Sequence, residues 1–317
     1  MPLQAVREAA TPQNEVAGAV EVVPMAIHIG AEIRGVDLSR QLPPAQVSAV
    51  RAALLRWKVV FFRGQNLDHR AHIAAARHFG DTTAGHVVYG SDGEFPQIYS
   101  VAKNRKANRF QGQVLFRPWS GWHTDITAAI NPPAASMLRG DVVPPYGGDT
   151  LFTNLVAAYN ALSPVMQKFA DGLRGVHRFA PPPGVDQTPE YQELMRKRTL
   201  VSEHPIVRVH PETGERALYV SPSFLKSIVG VSARESQVLL EFLWEHIVRP
   251  EFTVRFRWEP GSVAFWDNRA TAHLAPRDIF DSDFDRQFYR VTLVGDVPAG
   301  VDGKLSTAVE GSPITAL

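Results

Sequence analysis

Between Pro44 and Trp57 the apolar residues Val47, Val50, Ala53, Leu54 and Trp57 fall at helical spacing, and the unbroken run Val59-Val60-Phe61-Phe62 follows before the turn residues Arg63-Gly64-Gln65. The change of period predicts a helix feeding a buried strand. His69 to Phe79 and Ser232 to Val248 also carry a helical pattern, the second with Val238, Leu239, Phe242 and Leu243 on one face. Short apolar stretches punctuated by Pro and Gly recur in the second half: Ile206 to Val209, Ala217 to Val220, Phe252 to Trp258, Ser262 to Trp266 and Phe288 to Gly295. Many short strands without regular strand–helix alternation favour an antiparallel sandwich over a doubly wound sheet. The expected class is α+β: a double-stranded β-helix, or jelly-roll, core with flanking α-helices.

Residues 1–22 are small, polar and aperiodic, which predicts a disordered N-terminal segment; 301–317, rich in Gly, Ser and Thr, predict a loose C-terminal tail. No repeat or long linker interrupts 23–300, so one domain is expected there, and 44% hydrophobic residues suffice for a sizeable core. The 33 basic and 32 acidic side chains nearly cancel and form no long basic run, which argues against nucleic acid as partner. Cysteine is absent, so disulfides, thiolate metal sites and a cysteine nucleophile are excluded, and any metal must sit on nitrogen and oxygen. No run of 18 apolar residues and no charged-then-apolar N-terminus is present, so no membrane partner is expected and the location expected is cytoplasmic.

The candidate chemistry is dispersed. His123 and Asp125, in Trp-His-Thr-Asp, are two positions apart and on a strand would share a face; His273 follows the apolar stretch that ends in Phe265-Trp266. Two imidazoles and a carboxylate can hold one face of an octahedral iron and leave the other open for a bidentate acid and oxygen. The spacing alone is weak, because His210-Pro211-Glu212 repeats it in a Pro- and Gly-marked connection that reads as a solvated hairpin turn. Arg286, Phe288 and Arg290 alternate along one stretch. Two guanidiniums on one strand face fit an anion-binding role, since arginine matches carboxylate and sulfonate oxygens with paired donors; the plainer reading is a surface ladder with Asp281, Asp283 or Asp285.

In order along the chain, Gly30-Ala-Glu-Ile-Arg-Gly-Val-Asp37, Val59-Val-Phe-Phe-Arg-Gly-Gln65, Trp122-His-Thr-Asp125, Pro132-Pro-Ala-Ala135, Gly147-Gly-Asp-Thr-Leu151, Trp266-Asp-Asn-Arg269 and Arg290-Val-Thr-Leu-Val-Gly-Asp296 together resemble the taurine dioxygenase and 2,4-dichlorophenoxyacetate dioxygenase (TauD/TfdA) family. The resemblance runs from about Ile27 to Pro298. It implies Fe(II) as cofactor, held by His123, Asp125 and His273, with 2-oxoglutarate and O2 as cosubstrates. It also implies Thr150 and Arg286 on the distal carboxylate of 2-oxoglutarate, Arg290 at the substrate anion, His86 as a further substrate ligand, and Phe179 and Phe224 as pocket walls. The implied reaction hydroxylates a small anionic substrate, of the alkanesulfonate, alkyl sulfate or aryloxyalkanoate class, with release of succinate and CO2 and collapse of the product to an aldehyde or ketone. Relatives commonly form dimers or tetramers, so a homo-oligomer is implied as well.

Two departures stand out. The loop from Arg105 to Gly121, with Phe116-Arg-Pro-Trp-Ser-Gly, is bulkier and more aromatic than the lead into His-x-Asp in taurine enzymes, which implies another substrate. The stretch from His273 to Arg286 is longer than the family pattern, and an extended turn through Asp281-Ser-Asp-Phe-Asp285 would absorb the excess. Two other readings of the residues stay open: a zinc-dependent hydrolase or lyase, since two histidines and an aspartate also suit zinc, and a non-catalytic acid-binding barrel.

Overall fold

The run Val59–Phe62 is a strand whose four residues are all buried, because both faces of its sheet are covered. Successive side chains of a strand point to opposite faces. Val60 and Phe62 accordingly join Val50, Ala53 and Leu54 of the helix Pro44–Trp57 and Ile73, Ala75 and Ala76 of the helix His69–Arg77. Val59 and Phe61 face the other way, where Phe61 stacks on Phe256 at 4.0 Å and meets Phe152 edge-on at 5.7 Å between ring centroids. Each fully buried side chain of this size contributes about 1.5–3 kcal/mol.

The computed structural model describes residues 19–86, 88–91, 93–102, 117–179 and 189–317. Its largest sheet has seven strands in the order Glu21–Pro24, Ala31–Arg34, Val59–Phe62, Val263–Asp267, Ala135–Val142, Gln287–Thr292, Tyr99–Ala102. All neighbours are antiparallel except Ala31–Arg34 with Val59–Phe62. A three-stranded sheet, Thr253–Phe256, Thr150–Asn154 and Thr271–Leu274, packs on the face opposite the two helices. Two further sheets, one of four strands and one of three, lie with the helices Leu155–Asn160 and Ala233–Ile247 around a second core. The architecture is thus α+β with flanking helices; the four sheets are open ladders.

Helix ends follow local chemistry. Asp68 accepts a hydrogen bond from the Ala71 N–H, and Ser232 and Glu235 form a reciprocal capping box. The helix Ala233–Ile247 buries Ser236, Leu240, Leu243 and Ile247, whereas Val238 and Phe242, expected inward, are 47% and 44% exposed. The buried face is rotated from the expected one. Among the described residues no helix is long and apolar enough to cross a membrane.

Three expectations are corrected. Glu21 and Val22, placed in the disordered N-terminal segment, already belong to the first strand. Residues 301–317 are not loose: Thr307–Glu310 pairs with Val201–Pro205, Ala316 bridges Thr83, and Ile314 is buried. Asn131 clasps Ile314 through both amide atoms, Oδ1 accepting from the Ile314 N–H at 2.7 Å and Nδ2 donating to its carbonyl at 2.9 Å. Main-chain pairing docks this segment, so its low apolar content did not announce it. The connection from Pro211 to Gly214 is the expected exposed hairpin turn between Val207–Val209 and Arg216–Leu218, but the His210 side chain is not solvated with it. It is 1% exposed, its Nε2 lies 2.9 Å from Asp267 Oδ2, and Asp267, Arg269, Glu212 and Arg51 continue a chain of ion pairs behind the seven-stranded sheet.

Replacing Asn131 by Ala should leave the fold intact but cost about 1–3 kcal/mol, the cost of orphaning a buried donor and acceptor, and should raise amide exchange selectively in 312–317; unchanged exchange there would sink the clasp. Burial, reinforced by Arg139 and opposed by the Met137 carbonyl, pushes the His72 pKa down to about 3 from an ordinary 6.5. Burial also holds His204 at about 3. Both rings bind protons more readily unfolded than folded, so the stability they contribute is complete above pH 6.5 and is lost as pH falls toward 3. The melting temperature should drop steadily between pH 7 and 5, and a flat profile would contradict it.

Candidate active site and metal centre

His123 and His273 are paired residues on neighbouring chain segments. An isolated antiparallel bridge joins them, His123 N–H donating to the His273 carbonyl at 2.9 Å and His273 N–H returning to His123 at 2.7 Å. The bridge extends the edge strand Thr271–Leu274. His123 makes this one bridge and Asp125 already begins a turn that continues through Ile126 at φ 46°, so the expected strand is reduced to a single rung. The i, i+2 relation survives because Thr124 points away, its hydroxyl donating to the Thr271 carbonyl at 2.7 Å.

One donor atom from each of His123, Asp125 and His273 lies within 4.8 Å of the others. His123 Nδ1 is 2.9 Å from the Gly121 carbonyl, which makes it the protonated nitrogen and leaves Nε2 for a metal. His273 Nε2 faces Asp125 Oδ1 at 4.0 Å. Burial lowers both imidazole pKa values, that of His273 to about 3, with the Asp125 charge opposing, so both rings are the neutral ligands a metal requires. Burial alone would raise the Asp125 pKa; the Arg290 charge foremost, with the two neighbouring imidazoles and a hydrogen bond from Ser136, outweighs it and holds the carboxyl well below the usual range. Two neutral imidazoles and one ionised carboxylate fit a facial metal site with open positions.

Arg290 stands beside this triad and Arg286 four residues before it in the chain, and both are buried rather than forming a surface ladder. Arg290 Nη1 donates to Asp125 Oδ1, while its Nε is buried with no partner among the described residues. Arg286 lies just before the strand Gln287–Thr292 and packs its guanidinium 3.8 Å from the Phe288 ring centroid. Among the described residues it makes one hydrogen bond, from Nε to the Gly148 carbonyl at 3.3 Å, and no carboxylate pairs with it. Burial pushes its pKa down to about 10, with Asp278 opposing. Gly148 adopts φ +67°, and a Cβ there would come within 3.3 Å of the Arg286 side chain. Thr150, in the same Gly-Gly-Asp-Thr stretch, is buried and receives the Trp258 indole N–H at 3.0 Å.

His86, Phe179 and Phe224 converge on the triad. Phe224 lies 6.4 Å from the His123 ring, Phe179 5.7 Å from Phe224, and His86 6.0 Å from Phe179. His86 Nδ1 accepts from the Val88 and Tyr89 N–H groups, so its neutral ring carries the proton on Nε2. Gly85 lets this loop approach the strand beyond, since a Cβ would sit 2.4 Å from the Ile98 carbonyl. Tyr89 and Tyr99 flank His86 at 4.5 and 4.8 Å and were not foreseen, nor was Ser136, whose hydroxyl meets Asp125 Oδ2 at 2.7 Å. Of the aromatic approach loop, Arg105 to Phe116 lie outside the described residues; Trp119 packs on Trp244 of the helix Ala233–Ile247. The long stretch after His273 contains a 3-10 helix, Arg277–Asp281.

Comparison with known proteins agrees with this geometry. The family model described as taurine catabolism dioxygenase TauD, TfdA family, matches residues 21–292. The chain belongs to the TauD/TfdA dioxygenase family. It is 42% identical to an alpha-ketoglutarate-dependent sulfate ester dioxygenase of Pseudomonas putida, covering 90% of this chain and 93% of that one. With an alkylsulfatase of Acinetobacter baylyi it shares 39% identity over 87% and 85% of the two chains. A crystal structure of a taurine dioxygenase from Burkholderia xenovorans superposes with a TM-score of 0.82 at 62% identity, covering 93% and 96%. This TauD/TfdA member is an Fe(II)- and 2-oxoglutarate-dependent dioxygenase acting on a small anionic substrate, with His123, Asp125 and His273 as its facial triad. Bound iron, 2-oxoglutarate and O2 supply an oxidant that converts a substrate C–H to C–OH with release of succinate and CO2.

Proposed function

We propose that this dioxygenase cleaves sulfate esters of small aliphatic alcohols, and that the strands from Glu21 to Glu310 belong to one domain whose core is a double-stranded β-helix. The observation that carries the reading is the pair of buried arginines four residues apart, each with donor capacity left over, one bonded to the ligand Asp125 and one to the Gly148 carbonyl. A buried guanidinium without an anion is costly, and two anions are at hand: the distal carboxylate of 2-oxoglutarate and the substrate sulfate. Arg286 and Thr150 take the first, and Arg290, whose Nη1 touches the ligand Asp125, takes the second. His86 Nε2–H adds a neutral donor to the sulfate, and Phe179 and Phe224 line the path of the alkyl chain.

The tail of the substrate is better hydrocarbon than ammonium. Val88, Ile126, Leu200, Phe224 and Phe179 make one apolar cluster next to the triad, whereas a taurine ammonium would need an acceptor and Asp125 is committed to the metal. The names of the sulfate ester dioxygenase and the alkylsulfatase support the same choice. Hydroxylation of R–CH2–OSO3⁻ at the carbon bearing oxygen gives R–CH(OH)–OSO3⁻, which breaks its C–O bond to sulfate and leaves R–CHO and HSO4⁻. The protein's part is position: the anion end is fixed and the carbon next to it faces the open side of the triad.

The deciding experiment adds O2 and a panel of alkyl sulfates, alkanesulfonates and aryloxyacetates to the anaerobic enzyme with Fe(II) and 2-oxoglutarate. Alkyl sulfates should accelerate loss of the weak visible charge-transfer band and release sulfate and succinate one to one. Coupled turnover with a sulfonate alone, releasing sulfite, would overturn the choice, and turnover without O2 would point to hydrolysis. Arg290→Ala should raise the KM for the sulfate ester about 10- to 100-fold, as expected for losing a charge-assisted bond of about 1.5–3 kcal/mol, with a much smaller effect on 2-oxoglutarate. Arg286→Ala should do the reverse; an exchanged pattern would mean the two arginines have exchanged roles.

A further inference from the structure

We propose that Asn268 and Ser136 are positioning residues that set which oxygen of Asp125 is presented to the metal, through a one-way chain of hydrogen bonds starting at the Trp266 indole. The proposal rests on the reading of His123, Asp125 and His273 as metal ligands. The chain has three links: Trp266 Nε1 to Asn268 Oδ1 at 2.9 Å, Asn268 Nδ2 to Ser136 Oγ at 2.9 Å, and Ser136 Oγ to Asp125 Oδ2 at 2.7 Å. All four side chains are at most 2% exposed, so water does not offer substitute partners. Trp266 and Ser136 are placed by the sheet itself, as directly opposed residues of the strands Val263–Asp267 and Ala135–Val142. Asn268 is held one turn on by its main-chain N–H to the Ala134 carbonyl at 2.9 Å.

The direction of the chain follows from donor chemistry. An indole N–H can only donate, so the Asn268 atom facing it must be the amide oxygen. The amide nitrogen therefore faces Ser136 and donates to its hydroxyl oxygen. The serine proton, with that oxygen already engaged, turns to Asp125 Oδ2. That oxygen is thereby held on the sheet side, and Oδ1, which also accepts from Arg290 Nη1, is the oxygen 4.0 Å from His273 Nε2, on the metal side. The carboxylate is steered toward binding through one oxygen, which keeps the remaining positions of the metal open for cosubstrate and O2. Outer hydrogen bonds of this kind commonly change metal affinity about 10- to 100-fold when removed.

The test uses Co(II) as the probe, titrated anaerobically into the metal-free full chain and followed by its visible bands, with melting temperatures measured alongside. Ser136→Ala removes the last link. Asn268→Asp keeps the shape but cannot donate to Ser136, so the serine proton is drawn away from Asp125. Both variants should bind Co(II) about 10- to 100-fold more weakly with shifted bands while remaining folded, their metal-free melting temperatures lowered by the unpaired or charged group left in the buried network. A packing role alone would leave the nearly isosteric Asn268→Asp with native Co(II) affinity, and that result would overturn the proposal even if Ser136→Ala failed to fold. Native affinity in both variants would overturn the relay alone, whereas a native chain that binds neither Co(II) nor Fe(II) would remove the metal site and the relay together.

Discussion

The buried carboxylate of Asp125 is the constraint around which the site is organised. A carboxylate withdrawn from water is tolerated only if positive charge and hydrogen bonds meet it. Here Arg290 meets one oxygen and Ser136 the other, and two histidines lie within metal-sharing distance. These partners come from four separate segments of chain, so the charge cannot be accommodated until the seven-stranded sheet, the bridge between His123 and His273 and the strand carrying Arg290 are all in place. The site is thus a product of the assembled tertiary structure rather than a local motif. Burial leaves both histidines neutral against the pull of that charge, and Asp125 remains the single anionic ligand.

Strand alternation does the remaining work of placement. On Val59–Phe62 and Val263–Asp267 one set of side chains packs against the two helices and the other against the three-stranded sheet. A shift of one residue would exchange those faces and carry Trp266 away from Ser136. Behind the sheet, Asp267 and Arg269 alternate with Asn268 and tie the same turn into the ion pairs with His210 and Glu212. One four-residue stretch therefore faces the core with Trp266, supports the triad with Asn268 and anchors to the back with its two charged residues.

What the sequence made legible was whatever depends on periodicity or on a string of adjacent residues. The helix Pro44–Trp57 and the strand Val59–Phe62 appear with the boundaries that apolar spacing predicted, and the triad was visible because its spacing, weak alone, stands among motifs such as Trp122-His-Thr-Asp125 and Trp266-Asp-Asn-Arg269 that carry the family resemblance. What escaped was long-range polar pairing. Ser136 is an ordinary small residue on a strand until Asp125 and Asn268 close on it, and Asn131 shows no sign that it will hold Ile314 across 183 residues of chain. His210 was misread for the same reason: a Pro- and Gly-rich turn is solvated by default, and only the folded sheet sets Asp267 against the ring. In the helix Ala233–Ile247 apolar residues lie on more than one side, so spacing alone could not choose the buried face.

The two arginines show why burial and pairing must be weighed together. Both are buried, yet their electrostatic situations differ. Arg290 is opposed by Asp125, while Arg286 has only a carbonyl and an aromatic face, and burial drags its pKa downward. Arginine tolerates such a position better than lysine because its charge is delocalised and weakly hydrated, and the Phe288 ring supplies a cation–π contact where a carboxylate would otherwise stand. A permanent carboxylate beside Arg286 would relieve the burial but would also occupy the donors that an incoming dicarboxylate needs. The fold accepts a locally unfavourable charge, softened by an aromatic face and the Gly148 carbonyl, and keeps the guanidinium fork available for an anion.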